Sequence, residues 1–213
     1  LFFIKFYVLL ALLPCLISYF ISVKFQMKHP FIIYSSIVLV FGVLAFNSKE
    51  IPPHFDFVET LITKQKNFIR LAEVTEPGSR FELTKLEPTF FGVARAVPEA
   101  LANCFIRPLI TKGNQFIFLP SIIENTLLIV LICLSFFSRL KRKVKLTTET
   151  KNMFWFSVFF TLILFTIIGL TTPVSGALVR YKIPALPFLG IAILTYINTD
   201  YLIDKIPFLK FLK

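Results

Sequence analysis

The chain has few of the residues from which disulfide and metal sites are built. It contains 3 cysteines, and none of Cys15, Cys104 and Cys133 stands in a CxxC spacing. Cysteines in this pattern indicate neither a disulfide framework nor a zinc site. His54 and Asp56 could supply two metal ligands or an acid/base pair, but two ligands are too few for a metal site. We therefore predict that the protein uses no metal and no cofactor.

The sequence also lacks the short motifs of several large enzyme classes. It contains no P-loop, no GxSxG nucleophile elbow, no HExxH zinc motif and no dinucleotide-binding fingerprint. The reactions that depend on those motifs are therefore not indicated. The GxxxG spacing is absent from the apolar stretches as well, so helix packing would rest on bulky side chains and on polar contacts such as Glu124 and Asn125.

Charged residues are scarce at 16%, whereas hydrophobic residues make up 56% and the mean hydropathy is +0.77. A soluble domain carries about 45–50% apolar residues, so this composition predicts burial in a membrane. The net charge of +11 does not point to nucleic acid. Its basic residues gather beside apolar stretches and form no basic stripe with interleaved aromatics, so anionic lipid head groups are the predicted partners.

Apolar stretches separated by polar segments predict an all-α polytopic transmembrane helix bundle of about five spans. The stretches cover residues 1–23, 31–46, 116–138, 153–171 and 185–197. The chain then divides into three parts. Residues 1–46 form two transmembrane helices, and residues 47–115 form an extracytoplasmic module, which we call the outer module. Residues 116–213 form three transmembrane helices and an interfacial tail. Because the chain begins with Leu and no cleavage site follows the first span, we expect the C-terminal piece of a longer protein.

Clusters of basic residues set the predicted orientation. The basic run at residues 139–145 joins the third and fourth spans, and short Lys/Arg-rich loops stay on the cytoplasmic side. Counting crossings outward from this loop places Lys24, Lys28 and His29 inside, together with the C-terminal tail. Residues 47–115 then face outside, and their charges nearly cancel, so nothing in their composition retains them in the cytoplasm.

Two amphipathic helices are predicted in the extracytoplasmic module. Apolar residues recur at helical spacing from Phe57 to Ala72, and turn chemistry at residues 76–79 ends this helix. A second helix is predicted from Pro98, as a first-turn residue, to Arg107. We expect both helices either to lie against the membrane surface or to dock on the bundle.

Arg180 and Lys182 are the first candidate site residues. They stand two apart before Pro184, and in an extended segment both side chains would point to one face. Cations on the outer side suit a lipid-linked phosphate, because the guanidinium gives bidentate contact and the ammonium a point charge. The alternative is interfacial anchoring, with Tyr181 reaching the head groups beside them. Arg80 and Arg107 are further candidates that could complete an anion site on the same face.

Glu124 and Asn125 lie inside the third span, about two turns from its outer end at a rise of about 1.5 Å per residue. An ionisable group at that depth should face the bundle interior or a wet cavity and have a partner. Glu124 is therefore a candidate contact for a substrate or a proton. The alternative is a structural pair with an arginine of the outer module.

Residues 176–188 contain Arg180, Tyr181, Lys182, Pro184 and Pro187 in the order R-Y-[RK]-x-P-x-x-P. This segment resembles one near the end of bacterial multi-pass glycosyltransferases of the GT-C type, similar to the dolichyl-phosphate-mannose protein mannosyltransferases. The resemblance implies an enzyme of the bacterial inner membrane that transfers sugar from a polyprenyl-phosphate donor to a cell-envelope glycan. Such enzymes place acidic catalytic residues in an early outer loop, so the resemblance assigns no catalytic residue here.

Other interpretations stay open. Residues 47–115 also resemble the large outer loop of O-antigen ligases and polymerases, where a loop histidine is expected and His54 is the candidate. A transporter would use Glu124 and Asn125 in a central cavity. A noncatalytic subunit of a membrane complex would leave the basic candidates without a shared pocket, whereas their convergence on one outer cleft would favour the enzyme.

Overall fold

The computed structural model describes residues 6–50, 56–107, 115–139 and 146–197. These residues form eight α-helices and two single 3-10 turns, with no β-strand beyond one isolated bridge between Arg80 and Val174. The predicted all-α polytopic bundle is thus confirmed. The helices are α1 Phe6–Lys24, α2 Pro30–Phe46, α3 Phe57–Thr75, α4 Phe90–Ile106, α5 Gln115–Arg139, α6 Thr148–Thr171, α7 Ser175–Lys182 and α8 Leu186–Tyr196. His54, most of the basic run and the tail from residue 198 lie outside the described residues.

Four segments of the described chain are long and apolar enough to cross a membrane. They are Tyr7–Lys24, Phe118–Ser138, Thr148–Thr171 and Ser175–Tyr196, and the apolar helix α2 is shorter at 17 residues. The last segment joins α7 to α8 through a 3-10 turn that contains Pro184, where a proline interrupts regular helical bonding. The fifth span, predicted at residues 185–197, therefore begins earlier, at Ser175, and contains a 3-10 turn.

Helix α6 forms the centre of the bundle. It packs against α1, α4 and α8, and it also contacts α2, α3 and α7. Phe160, Leu164 and Phe165 on α6 are almost fully buried in the main core. A helix that is apolar on all sides is stable only when other helices or lipid surround it, and the neighbouring helices supply that surrounding here.

Polar and aromatic contacts define which helix ends lie together. The Ser22 hydroxyl donates to Asn152 Oδ1 at 2.5 Å, and the Tyr34 hydroxyl donates to the Asn152 carbonyl at 3.3 Å. The rings of Phe154 and Tyr196 stack with centroids 4.9 Å apart. The end of α1, the start of α2, the start of α6 and the end of α8 therefore share one end of the bundle, which we call the Asn152 end. The predicted order of crossings requires this arrangement.

The opposite end, which we call the Tyr181 end, carries α3 and α4. The buried Gln65 side chain of α3 donates from Nε2 to the Leu170 carbonyl of α6 at 2.8 Å. Its Oε1 atom accepts from the backbone N–H of Leu86 at 3.0 Å. Of the two positions considered for these helices, docking on the bundle is the one that the structure adopts.

Helix α3 ends where the sequence predicts, whereas α4 does not begin at Pro98, its predicted first residue. Asp56 caps α3 by accepting from the Glu59 N–H at 2.8 Å, and Glu76 ends it in the left-handed region at φ 40°. Helix α4 begins at Phe90, because Thr89 accepts from the Gly92 N–H at 3.0 Å and caps it. The prediction that Pro98 opens the helix is wrong. Pro98 lies on the exposed side of α4, where the chain tolerates the loss of one backbone bond.

Candidate functional site

Arg180 and Lys182 lie on helix α7 and not in an extended segment. Residues two apart on an α-helix point about 200° apart, at about 100° per residue. Arg180 is exposed, whereas only 2% of Lys182 is exposed. The prediction that both side chains share one face is therefore wrong.

Lys182 is enclosed by α4, α5 and α8. Its Nζ atom donates to Asn125 Oδ1, and the Asn125 amide donates to the carbonyls of Phe105 at 2.9 Å and Arg107 at 2.6 Å. The space between these groups is only about 10 Å³, which is about one water molecule at most. Lys182 has no room beside it for a phosphate group.

Glu124 lies on the exposed side of α5, and it makes no hydrogen bond or ion pair with any described residue. The expectation that it faces the bundle interior is wrong. Asn125, one residue later, takes that position and is 2% exposed.

Arg80 and Arg107 lie beside the segment that starts α7. The Phe81 N–H donates to the Pro173 carbonyl at 2.9 Å, and the Ser175 N–H donates to the Ser79 carbonyl at 3.1 Å. The Arg107 guanidinium lies 3.7 Å above the centre of the Phe81 ring. These contacts join the outer module to the start of α7.

Arg80 and Arg107 each have a side-chain partner. The exposed Arg80 pairs with Glu73 Oε1 at 3.2 Å. Arg107 donates from Nε to Asn103 Oδ1 at 3.0 Å. Burial lowers the pKa of Arg107 while the charge of Glu99 acts in the opposite direction, and the guanidinium stays protonated at any physiological pH.

A pocket of about 180 Å³, which we call the Lys64 pocket, opens at the Tyr181 end. It lies between α1, α3, α6 and α7. Its polar and aromatic lining consists of Tyr7, Lys64, Phe68, Thr171, Thr172 and Tyr181. The Lys64 Nζ atom is 5.0 Å from the centre of the Tyr7 ring, and the Tyr7 and Tyr181 rings meet edge to face at 6.0 Å. The pocket thus places one cation among aromatic and hydroxyl groups.

A larger open groove, the α3 groove, runs along the outer side of α3 and has a volume of about 790 Å³. It shares Lys64 and Phe68 with the Lys64 pocket. The rest of its lining consists of Asp56, Glu59, Thr60, Thr63, Asn67 and Leu71. Arg80, Arg107 and Arg180 line neither of these two spaces nor the small space around Lys182.

Lys64 is not among the site residues predicted from the sequence, and it stands within the amphipathic helix predicted from Phe57 to Ala72. The spacing of Phe57, Leu61, Lys64 and Phe68 was the available signal, since residues three and four apart share a helix face. A lysine within such a stripe must be placed against the neighbouring helices. The structure places Lys64 there, half-buried at the border of the core.

The described residues contain no group of three or more His, Cys, Asp or Glu side chains that could hold a metal ion. No protein-family model, no curated protein and no solved structure matches the chain.

Proposed function

We propose that the chain belongs to an integral membrane glycosyltransferase that acts on a polyprenyl-phosphate sugar at the extracytoplasmic face of the bacterial inner membrane. Its partners would be membrane lipid, the lipid-linked donor and the remaining part of the enzyme or complex. The reaction would transfer the sugar to a glycan of the cell envelope. The single observation that carries this proposal is the attachment of the outer module to the start of α7.

That attachment brings basic residues from three parts of the chain to one end of the bundle. Arg80 forms its backbone bridge with Val174. Arg180 follows Val174 by six residues, which is about 9 Å along a helix at about 1.5 Å per residue. Arg107 is held against Phe81 in the same region. An end of a bundle with several cations suits a lipid-linked phosphate anion at the membrane surface.

In this proposal Arg180 contacts the phosphate and Lys182 has a different role. Arg180 is exposed, so its planar guanidinium is free to make bidentate contact with phosphate oxygens. Lys182 is buried and bonded to Asn125, so it holds α7 in place. Arg180 thus contributes charge neutralisation and orientation of the donor.

The test compares Arg180→Ala with Arg95→Ala in cells that depend on this protein for envelope glycan synthesis. Arg95 is an exposed arginine of α4 that lines none of the three spaces described above, so it is the matched control. We expect Arg180→Ala to reduce glycan transfer by roughly tenfold or more, since a charge-assisted bond is worth about 1.5–3 kcal/mol. Membrane insertion should stay normal in both variants. Transfer at the normal rate in Arg180→Ala would remove this residue from the proposed site.

A second candidate function is that of a noncatalytic subunit of a membrane complex. It is favoured by one observation, namely that Arg80, Arg107 and Arg180 line none of the three spaces described above. In that case Arg180→Ala would leave transfer unchanged, and the chain would copurify with a separate catalytic protein. Transport is less well supported, because the space that Asn125 lines is only about 10 Å³.

A further inference from the structure

Lys64 is a half-buried cation that has no counter-charge among the described residues. No Asp or Glu oxygen of the described residues lies within 4.0 Å of its Nζ atom. Its only close partner in the described part of the chain is the face of the Tyr7 ring, at 5.0 Å. A ring face attracts a cation but leaves all three ammonium N–H groups without an acceptor. Burial accordingly lowers the pKa of Lys64.

The hydroxyl groups around Lys64 are available as well. Neither Tyr7 nor Tyr181 makes a hydrogen bond through its hydroxyl with any described residue. Both side chains are fixed by ring contacts, because Tyr181 also meets Phe68 edge to face at 6.1 Å. The pocket therefore holds an ammonium and two phenol groups, and all of them can donate to one anion.

We propose that the Lys64 pocket binds the phosphate group of an organic phosphate. Lys64 supplies the charge, and the hydroxyls of Tyr7 and Tyr181 donate to phosphate oxygens. A phosphate has several acceptor oxygens directed to different sides, so it matches donors that come from α1, α3 and α7 better than a planar carboxylate does. This binding site does not depend on the glycosyltransferase assignment.

The volumes of the Lys64 pocket and the adjoining α3 groove limit the kinds of organic phosphate that could bind. The pocket of about 180 Å³ has room for about six water molecules at about 30 Å³ each, so it is smaller than most whole-ligand sites. The adjoining α3 groove has about 790 Å³ and carries hydroxyl, amide and carboxylate groups. A phosphate in the pocket would therefore be joined to a polyhydroxyl group, such as a glycerol or a sugar, in the groove.

Such a phosphate can come from a lipid head group or from a soluble ester, so the experiment has two arms. The full chain is placed in micelles of a phosphate-free detergent with an uncharged head group, and binding of glycerol 3-phosphate is measured by calorimetry. In the second arm, retention of phosphatidylglycerol after delipidation is measured by native mass spectrometry. Binding in one arm alone identifies the source of the phosphate, and binding in either arm supports the site.

The informative variant is Lys64→Met, and the matched control is Lys66→Met, because Lys66 is exposed on the same helix outside both spaces. We expect Lys64→Met to weaken phosphate binding by roughly tenfold or more, since bonds to charged groups are worth about 1.5–3 kcal/mol. Lys66→Met should bind like the original chain. Equal binding by the two variants in both arms would overturn the proposal.

A second variant keeps the test valid if Lys64→Met does not fold. The double variant Tyr7→Phe with Tyr181→Phe keeps the charge and both rings but removes both hydroxyl donors. We expect it to fold and to bind phosphate several-fold more weakly than a Tyr19→Phe control, whose exposed ring lies elsewhere on α1. Unchanged affinity in the double variant would contradict the proposed contacts. Because these measurements use binding alone, their failure would leave the test of Arg180 on glycan transfer untouched.

Discussion

Asn125 uses its whole side-chain amide to join three helices. It donates to the carbonyls of Phe105 and Arg107 at the C-terminal end of α4, and it accepts from Lys182 at the end of α7. Helix ends leave carbonyl groups without partners, and in a membrane no water is present to bind them. Asn125 therefore stabilises the end of α4 and offsets part of the cost of burying a lysine.

Replacing Asn125 with Leu should destabilise the fold by about 2 kcal/mol, because it breaks several hydrogen bonds inside the membrane region, each worth about 0.6–1.7 kcal/mol. Unfolding of the purified chain in mixed micelles measures this change. Thr126→Leu is the control, since the exposed Thr126 hydroxyl bonds only to the Ile122 carbonyl of its own helix. Adding Lys182→Met should recover part of the loss, because the buried charge is then removed as well. Equal stability of the Asn125 and Thr126 variants would contradict this role.

The contrast between Glu124 and Asn125 explains why the site could be predicted only in part. The sequence places both residues at the right depth in α5, because apolar length fixes a span along its axis. It does not fix the rotation of that span, since α5 is apolar on every side and offers no stripe to distinguish the interior from lipid. Contacts with α8 and α4 decide the rotation, and they depend on the whole fold.

Helices α4 and α6 approach each other closely at Gly169. A Cβ atom at this position would overlap the carbonyl of Ala100. Ala96, Ala100 and Cys104 form a buried stripe of small residues on α4, and Cys104 reaches the Phe165 carbonyl of α6 at 3.2 Å. Glycine at 169 and small residues on α4 therefore permit the outer module to dock into the bundle.

Replacing Gly169 with Ala should partly undock α4 and destabilise the chain by about 1–3 kcal/mol, which is the usual cost of overpacking. Gly190→Ala is the control, because nothing lies within 4 Å of a Cβ added there. The readout is the reaction of Cys104 with a maleimide in a variant whose other cysteines are replaced by serine. Burial raises the pKa of Cys104 to about 12, so the docked thiol should react slowly at neutral pH. Slow labelling in both glycine variants would mean that α4 stays docked.

The two outer helices differ in how far the sequence predicted them. The bounds of α3 follow from local chemistry, because Asp56 is a capping residue and the turn after Thr75 is a strong stop signal. The start of α4 was missed because Pro98 is a common first-turn residue, and this local preference outweighed the cap at Thr89. Packing on α6 stabilises the longer helix in spite of the proline, and packing of that kind is not visible in a local pattern.

The arrangement of helix ends links the fold to its orientation in the membrane. Contacts at the Asn152 end hold together the helix ends that the sequence predicts to be cytoplasmic. Contacts at the Tyr181 end hold together the helix ends that are predicted to be outside. The relative arrangement therefore agrees with the count of crossings made from the sequence. The absolute direction depends on the positive-inside rule, which acts on the lysines and arginines beside the spans.

Cysteine labelling tests both points together. Lys28→Cys and Glu149→Cys lie beside the Asn152 end, and Glu73→Cys and Glu87→Cys lie in the outer module, all at exposed positions. A membrane-impermeant maleimide should label the second pair in intact cells and the first pair only in inverted vesicles. If a cysteine of the first pair and a cysteine of the second pair were labelled from the same side of the membrane, the arrangement of helix ends would be contradicted. A complete inversion would keep the fold and the Lys64 pocket, but it would place the pocket in the cytoplasm and exclude an exported lipid-linked donor.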